Sequence, residues 1–248
     1  MQPRALQSSN PESSSDERSI IGESLDRQLG EVLVPSLRRS LVDFLVVLRA
    51  WNRVHNLTAI RDLHEQVRRH LVEPVLGFQA ISSDLDLLCP SSVDQPFRLL
   101  DVGSGAGVPA IPWSIMGGPS FHITLVEKVG KKAAFLRRVV HQLMLDSRIL
   151  VIEDDVRRVK AQEAYQVISS RAFAGLNDFI DWTQHLIISN GGWLYLAGQL
   201  DRIVGLQNNQ YHHPDPSVGV RPVKIAPVYL PDQEASYLVW ISKEGSAC

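Results

Sequence analysis

Asp101-Val102-Gly103-Ser104-Gly105-Ala106-Gly107-Val108-Pro109 is the segment of this chain best suited to holding a small ligand. Three glycines in five residues free the backbone to take positive φ and let a ligand approach closely. The apolar run Phe97–Val102 leads straight into them, so the loop lies beyond the carboxyl end of a strand, where open α/β sheets bind ligands. In a dinucleotide fingerprint the glycines are spaced G-x-G-x-x-G. Here they stand at 103, 105 and 107, one short in the last gap, and Pro109 and Pro112 fall where a pyrophosphate-binding helix would begin. That spacing disfavours a nicotinamide dehydrogenase and suits an uncharged or cationic ligand.

Glu127 ends a second strand-like run, Phe121–Glu127, 24 residues after Gly103. A carboxylate there accepts hydrogen bonds from both hydroxyls of a ribose. Asp154 and Asp155 follow a third run, Arg148–Ile152, beside the place an adenine would take. Glycines, a ribose acid and a polar group at three successive strand ends form the layout of an S-adenosylmethionine site. A second kind of chemistry is electrostatic. Lys128, Lys131, Lys132, Arg137 and Arg138 place five positive charges in eleven residues without an acid, suited to RNA phosphates. Arg61, Arg68, Arg69 and His70 form a second basic cluster. His64 and His70 are six apart, not the i, i+4 pair of a metal-binding helix, so no metal site is expected.

These residues need a scaffold, and the periodicity supplies one. Leu37, Leu41, Phe44, Leu45 and Leu48 recur at helical spacing, and a second periodic segment from Asp62 carries Val67, Leu71 and Val75. Residues 25–81 are therefore expected to form a helical extension. The Ser/Pro-rich stretch 82–96 is expected to be a surface linker, and residues 1–24 a disordered tail. From residue 97 to 248 strands alternate with helices: 97–102, 121–127, 148–152, 165–170 and 192–197, with helices over 131–145 and 176–188. This is the signature of right-handed βαβ units around a parallel sheet. Val223–Leu230 and Tyr237–Ser242 lack an intervening helix and are expected to form an antiparallel hairpin.

The composition of the 248 residues, 44% hydrophobic and 21% charged, excludes wholesale disorder and fibre. A net charge of −2 means that any nucleic-acid binding must come from a local patch. Cys89 and Cys248 are too few for a disulfide framework, and free thiols in a reducing cytosol are expected. No apolar run approaches the roughly 20 residues that span a bilayer, and the amino end lacks a secretory core.

Taken in order, Trp51-Asn52, Asn56-Leu57-Thr58, Arg69-His70, the run from Leu99 through Pro112, Gly130-Lys131-Lys132 and Ser170-Arg171-Ala172-Phe173 resemble the RsmG (GidB) methyltransferases. The resemblance covers roughly residues 37–200. It implies a Rossmann-like class I methyltransferase, an α/β fold with a mostly parallel seven-stranded sheet between helices and an amino-terminal helical extension. It implies methylation of N7 of one guanine in 16S ribosomal RNA with S-adenosyl-L-methionine, by a cytoplasmic monomer with no membrane partner. Carried over by position, Gly103, Gly105, Val108 and Glu127 would line the cofactor, Asp155-Val156-Arg157 would flank its adenine, and Arg171 would face cofactor and guanine as the catalytic cation. Lys131, Lys132, Arg137, Arg68 and His70 would contact RNA. The family commonly has Arg-Ala-Glu or Arg-Val-Glu where this chain has Asp155-Val156-Arg157, and Asp where it has Glu73. The alternatives are a methyltransferase of the same fold acting on a protein or small metabolite, and a non-catalytic RNA-binding assembly protein; transfer of a methyl group to RNA separates them.

Overall fold

The computed structural model describes residues 11–30, 33–88, 96–160, 165–171, 175–198, 206–207, 210–211, 213–215, 218–220, 224–230 and 235–243. Cys89, Cys248, Ala172 and Phe173 lie outside them.

Strands β1 (Phe97–Val102), β2 (Phe121–Val126), β3 (Ile149–Ile152), β4 (Tyr165–Arg171) and β5 (Ile187–Ala197) run parallel to one another. A two-stranded pair follows, β6 (Leu206–Gln207) and β7 (Gln210–Tyr211). The expected hairpin is β8 (Lys224–Val228) with β9 (Ser236–Ser242), and β9 adds antiparallel to β5. The main sheet has seven strands in the order β3-β2-β1-β4-β5-β9-β8. The direction of winding reverses between β1 and β4, and open sheets of this kind bind ligands at that switch point. Register decides what meets there: Val102 pairs with Val126 and Ser170, and Val126 with Ile152. The glycine loop, Glu127, Asp154 and Arg171 therefore emerge together on one edge.

Side chains alternate across the sheet because successive Cβ atoms point to opposite faces. Leu99, Ile123 and Leu125 pack into one buried layer, Leu100, Val102 and Val126 into the other. The first layer carries α2 (Pro35–His55), α4 (Glu73–Leu88), α5 (Ala110–Gly117) and α6 (Gly130–Gln142); the second carries α7 (Leu176–Thr183). The stripe expected on α2 is buried at Leu41, Phe44, Leu45 and Leu48. Its carboxyl end closes with Asn56 in the left-handed region (φ 49°), and the buried Asn52 side chain accepts from the Thr58 amide at 2.9 Å. Trp51 then packs edge-on to Phe135 of α6, fixing the helical region against the sheet domain. Trp113, fully buried in α5, donates its indole N–H to the Pro74 carbonyl at 2.9 Å, a second such link.

The structure corrects four boundaries. The expected disordered tail contains α1 (Pro11–Leu29), with Ile21 and Leu25 fully buried against the core. A low average hydropathy hid a narrow apolar stripe, and acids of α1 pair with arginines of α2: Arg49–Glu17 and Arg38–Asp26, both at 2.7 Å. The segment from Asp62 is broken in the middle. Asp62 caps α3 (Leu63–Val67) by accepting from the Glu65 amide, a π-helical turn (Arg68–Val72) follows, and α4 resumes at Glu73. Val67, Leu71 and Val75 stay buried on one side throughout. The linker expected from residue 82 is helical through Leu88, and 89–95 lie outside the described residues. Finally, the last helix of the domain stops at Thr183, and the β-branched pair Ile187-Ile188 begins β5, where Ile187 pairs with Tyr165.

Candidate cofactor and substrate site

The glycine loop folds back on the edge of β2. The amides of Gly103 and Ser104 both donate to the Val126 carbonyl, at 2.9 and 3.2 Å, and Ser104 Oγ donates to the Asp101 carbonyl at 2.9 Å. Gly103, Gly105 and Gly107 all have positive φ, at 69°, 53° and 75°. Gly107 is required twice over, since a Cβ there would lie 3.0 Å from Ile111 Cγ1 and 3.1 Å from Leu136 Cδ2.

Glu127 is the centre of this corner. Its Oε2 accepts from the Gly105 amide at 2.9 Å and its Oε1 from the Val129 amide at 2.8 Å. These bonds hold a buried carboxylate rigid and leave acceptor capacity on both oxygens, because each carries two lone pairs. That capacity faces a cavity of about 250 Å³ lined by Gly103, Glu127, Lys132, Asp155 and Val156. A fixed, partly unsatisfied carboxylate bordered by exposed backbone is what the vicinal diol of an adenosine requires, so the residues present fit S-adenosylmethionine.

Not every expected cofactor residue borders this cavity. Gly105 acts behind it, holding Glu127 through its amide, and Val108 is buried in the core. Arg157 turns away: its Nε and Nη2 donate to Asp155 at 2.8 and 2.6 Å, and it lies 5.0 Å over the Trp182 ring. The hydrogen bond from Arg157 holds the Asp155 carboxyl well below the usual carboxylate range. Asp155 also caps the 3-10 turn Val156–Arg158 by accepting from the Arg157 amide. The charges inverted relative to the family thus neutralise each other locally.

The basic residues sort differently from the sequence expectation. Lys131 and Arg138, seven apart on α6, are exposed on one face. Lys132 is half-buried and borders the cofactor cavity, and Arg137 is tied to Glu153 at 2.7 Å. Arg68 is paired with Glu65 and its side chain is only 13% exposed. His70 is buried, and neither ring nitrogen has a hydrogen-bond partner among the described residues. Arg68 and His70 therefore do not face RNA: His70 is buried on the Val67–Leu71 side of the segment and Arg68 is committed to Glu65.

Arg171 sits at a second corner of the same edge. Its Nη2 donates to Glu73 Oε2 at 2.7 Å and its Nη1 to the Arg69 carbonyl at 3.1 Å, clamping it to the helical region. Arg69 faces the other Glu73 oxygen at 3.5 Å. A cavity of about 230 Å³ opens beside this group, walled by Trp113, Leu196, Tyr237 and Leu238. Sequence reasoning missed Glu73 as a partner, although it lies one helical turn beyond Arg69 at the facing i, i+4 spacing.

Two buried groups give the fold a distinctive pH response. Burial pushes the Asp101 carboxyl up to about 7, against the hydrogen bond from Ser169 Oγ at 2.7 Å. Burial, and then the Arg171 charge, push His70 down to about 3. Asp101 has a raised folded pKa, so it adds stability as pH falls from about 7 toward 4. His70 has a depressed one, so it removes stability as pH falls from about 6.5 toward 3. The two oppose each other across the overlap. Asp101→Asn leaves the histidine unopposed, and its denaturant-measured stability is expected to fall by up to about 1.4 kcal/mol per pH unit more steeply than wild type between pH 6 and 4. Parallel curves for the two chains would contradict the burial of a protonated Asp101.

A reversing parallel sheet with a glycine loop and a ribose-competent carboxylate at its switch point defines a Rossmann-like, S-adenosylmethionine-dependent methyltransferase. Residues 37–212 match the family model of GidB, rRNA small subunit methyltransferase G. The chain is 37% identical over 182 residues to ribosomal RNA small subunit methyltransferase G of Pseudomonas entomophila, covering 73% of this chain and 78% of that protein. It is 34% identical over 185 residues to the protein of the same name from Escherichia fergusonii, covering 74% and 82%. Among solved structures, tRNA (m1A58) methyltransferase TrmI from Aquifex aeolicus superposes with a TM-score of 0.47 at 10% identity, over 72% of this chain and 71% of that one. This chain belongs to the GidB family of rRNA small subunit methyltransferases.

Proposed function

We propose that this chain methylates N7 of a guanine in 16S ribosomal RNA, acting as a cytoplasmic monomer on the small ribosomal subunit or its precursor. The observation that carries the reading is Glu127, held by two amides with its remaining lone pairs turned to the cavity beside Gly103. S-adenosylmethionine supplies an electrophilic methyl on a sulfonium. Guanine N7 carries an in-plane lone pair and needs no deprotonation, so the residues of this site act by alignment rather than as a general base. Gly103, Glu127, Asp155 and Val156 hold the nucleoside end of the cofactor, and Arg171 faces the substrate side of the edge. No helix among the described residues is long and apolar enough to cross a membrane, and none of their His, Cys, Asp and Glu residues cluster as a metal site would require.

The test is mass-spectrometric mapping of N7-methylguanine in small-subunit rRNA from cells lacking the chain and from cells complemented with it. A pattern unaltered by deletion would refute the reading. Two variants report on its parts. Glu127→Ala is expected to weaken S-adenosylmethionine by about 1.5–3 kcal/mol in calorimetric titration, with a much smaller loss for an analogue lacking the ribose hydroxyls. Equal losses would make Glu127 a scaffold for the loop alone. Reversing Lys131 and Arg138 to glutamate is expected to lower the salt slope of log K for RNA by about one unit per phosphate contact removed. An unaltered slope would leave that face of α6 simply solvated.

A further inference from the structure

We infer that the cavity beside Arg171 is the slot for the target base, and that Glu73 is the residue that selects guanine. The inference rests on the guanine reading above and names a specificity residue for it. A cavity of about 230 Å³ has room for a single base turned out of its strand. Trp113, Leu196, Tyr237 and Leu238 supply apolar walls against which a flat ring packs. Arg69, Arg171 and Ser236 also line the cavity, and the anionic acceptor among its polar groups is the Glu73 carboxylate, whose side chain is 9% exposed.

A carboxylate has four lone-pair positions. Arg171 Nη2 takes one at 2.7 Å and Arg69 Nη1 stands near another at 3.5 Å, which leaves acceptor capacity on both oxygens. Among the RNA bases only guanine presents two adjacent donors, N1–H and N2–H2, on its Watson–Crick edge. Adenine and cytosine pair a donor with an acceptor there, and uracil flanks one donor with two acceptors. A guanine held by Glu73 on that edge keeps N7, on the opposite side of the ring, free of hydrogen bonds and nucleophilic. Arg171 supports this by where its own donors go. Nη1 and Nη2 are committed to the Arg69 carbonyl and Glu73, so its charge steadies the carboxylate without tying up N7. The longer acid at this position carries the pair of acceptors one methylene further from the helix than aspartate would.

The probes are GMP, IMP and AMP, titrated into the full chain by saturation-transfer NMR. GMP is expected to bind about tenfold more tightly than IMP, which lacks the N2 amino group, and at least about thirtyfold more tightly than AMP. Glu73→Gln replaces one acceptor with a donor and is expected to bring GMP and AMP within about threefold of each other, while Glu73→Asp keeps a preference for GMP. The ratio is the readout, because a purely structural carboxylate would weaken both nucleotides alike. GMP bound no better than AMP by the wild-type chain, including binding of neither, overturns the assignment, as does an undiminished ratio in Glu73→Gln. If Glu73→Gln does not fold, the wild-type panel and Glu73→Asp still decide. The wild-type protein is also given small-subunit RNA and tested for N7-methylguanine: product without nucleotide preference removes the slot and leaves the function standing, whereas no product removes the function itself.

Discussion

Gly103→Val is expected to abolish S-adenosylmethionine binding while the chain stays folded. Gly103 has φ 69°, a region that a β-branched side chain enters only under strain, and its backbone lines the cavity beside Glu127. Its amide is bonded to the Val126 carbonyl, so relief of the strain would pull the loop off the edge of β2. The effect should be total rather than graded, because loop geometry and the space for the ligand are lost together. Calorimetry shows no heat of binding if this is right, and circular dichroism shows an intact fold. Wild-type affinity in a folded variant would place the cofactor elsewhere.

Arg171→Lys is expected to slow methyl transfer more than tenfold at saturating RNA and cofactor, about 1.4 kcal/mol of barrier. Lysine keeps the ion pair with Glu73 yet lacks the planar fork that reaches Glu73 and the Arg69 carbonyl together. The surrounding shell then loosens at the point where alignment matters. The melting temperature should move by only a few degrees, since the buried carboxylate keeps a cationic partner. Normal turnover with a lowered melting point would make Arg171 a strut between the two halves of the molecule and nothing more.

The strand ends were legible because their signals are local: an apolar run, then a residue of particular chemistry. Gly103, Glu127 and Asp155 follow that pattern, and the register of β1, β2 and β3 brings them to one cavity. Arg171 was legible as an edge residue, but its partner was not. Glu73 is 98 positions away, and nothing short of the folded sheet joins them. Polarity misled at Arg68 and His70: His70 lies three residues after Val67 and beside Leu71, on the apolar side of the segment, and is buried with them, while Arg68 is paired with Glu65. Composition misled in α1, where Ile21 and Leu25 suffice to bury one face of an otherwise polar helix. The apolar run after Thr183 was ambiguous between helix and strand, and pairing with β4 decided it.

The clamp on Arg171 has a consequence for how the protein is made. The helices that supply Arg69 and Glu73 leave the ribosome about a hundred residues ahead of β4, and chains begin to fold from the amino end during synthesis. Until β4 pairs with the edge of β1, the carboxylate of Glu73 has only Arg69 to lean on, and the guanidinium that completes the corner is not yet in place. Contacts of such long separation form late. A nascent chain thus acquires the cofactor loop of β1 and β2 before it acquires the corner at β4. A half-made rRNA methyltransferase, still tethered to the ribosome that synthesises it, therefore lacks the last piece of the proposed site.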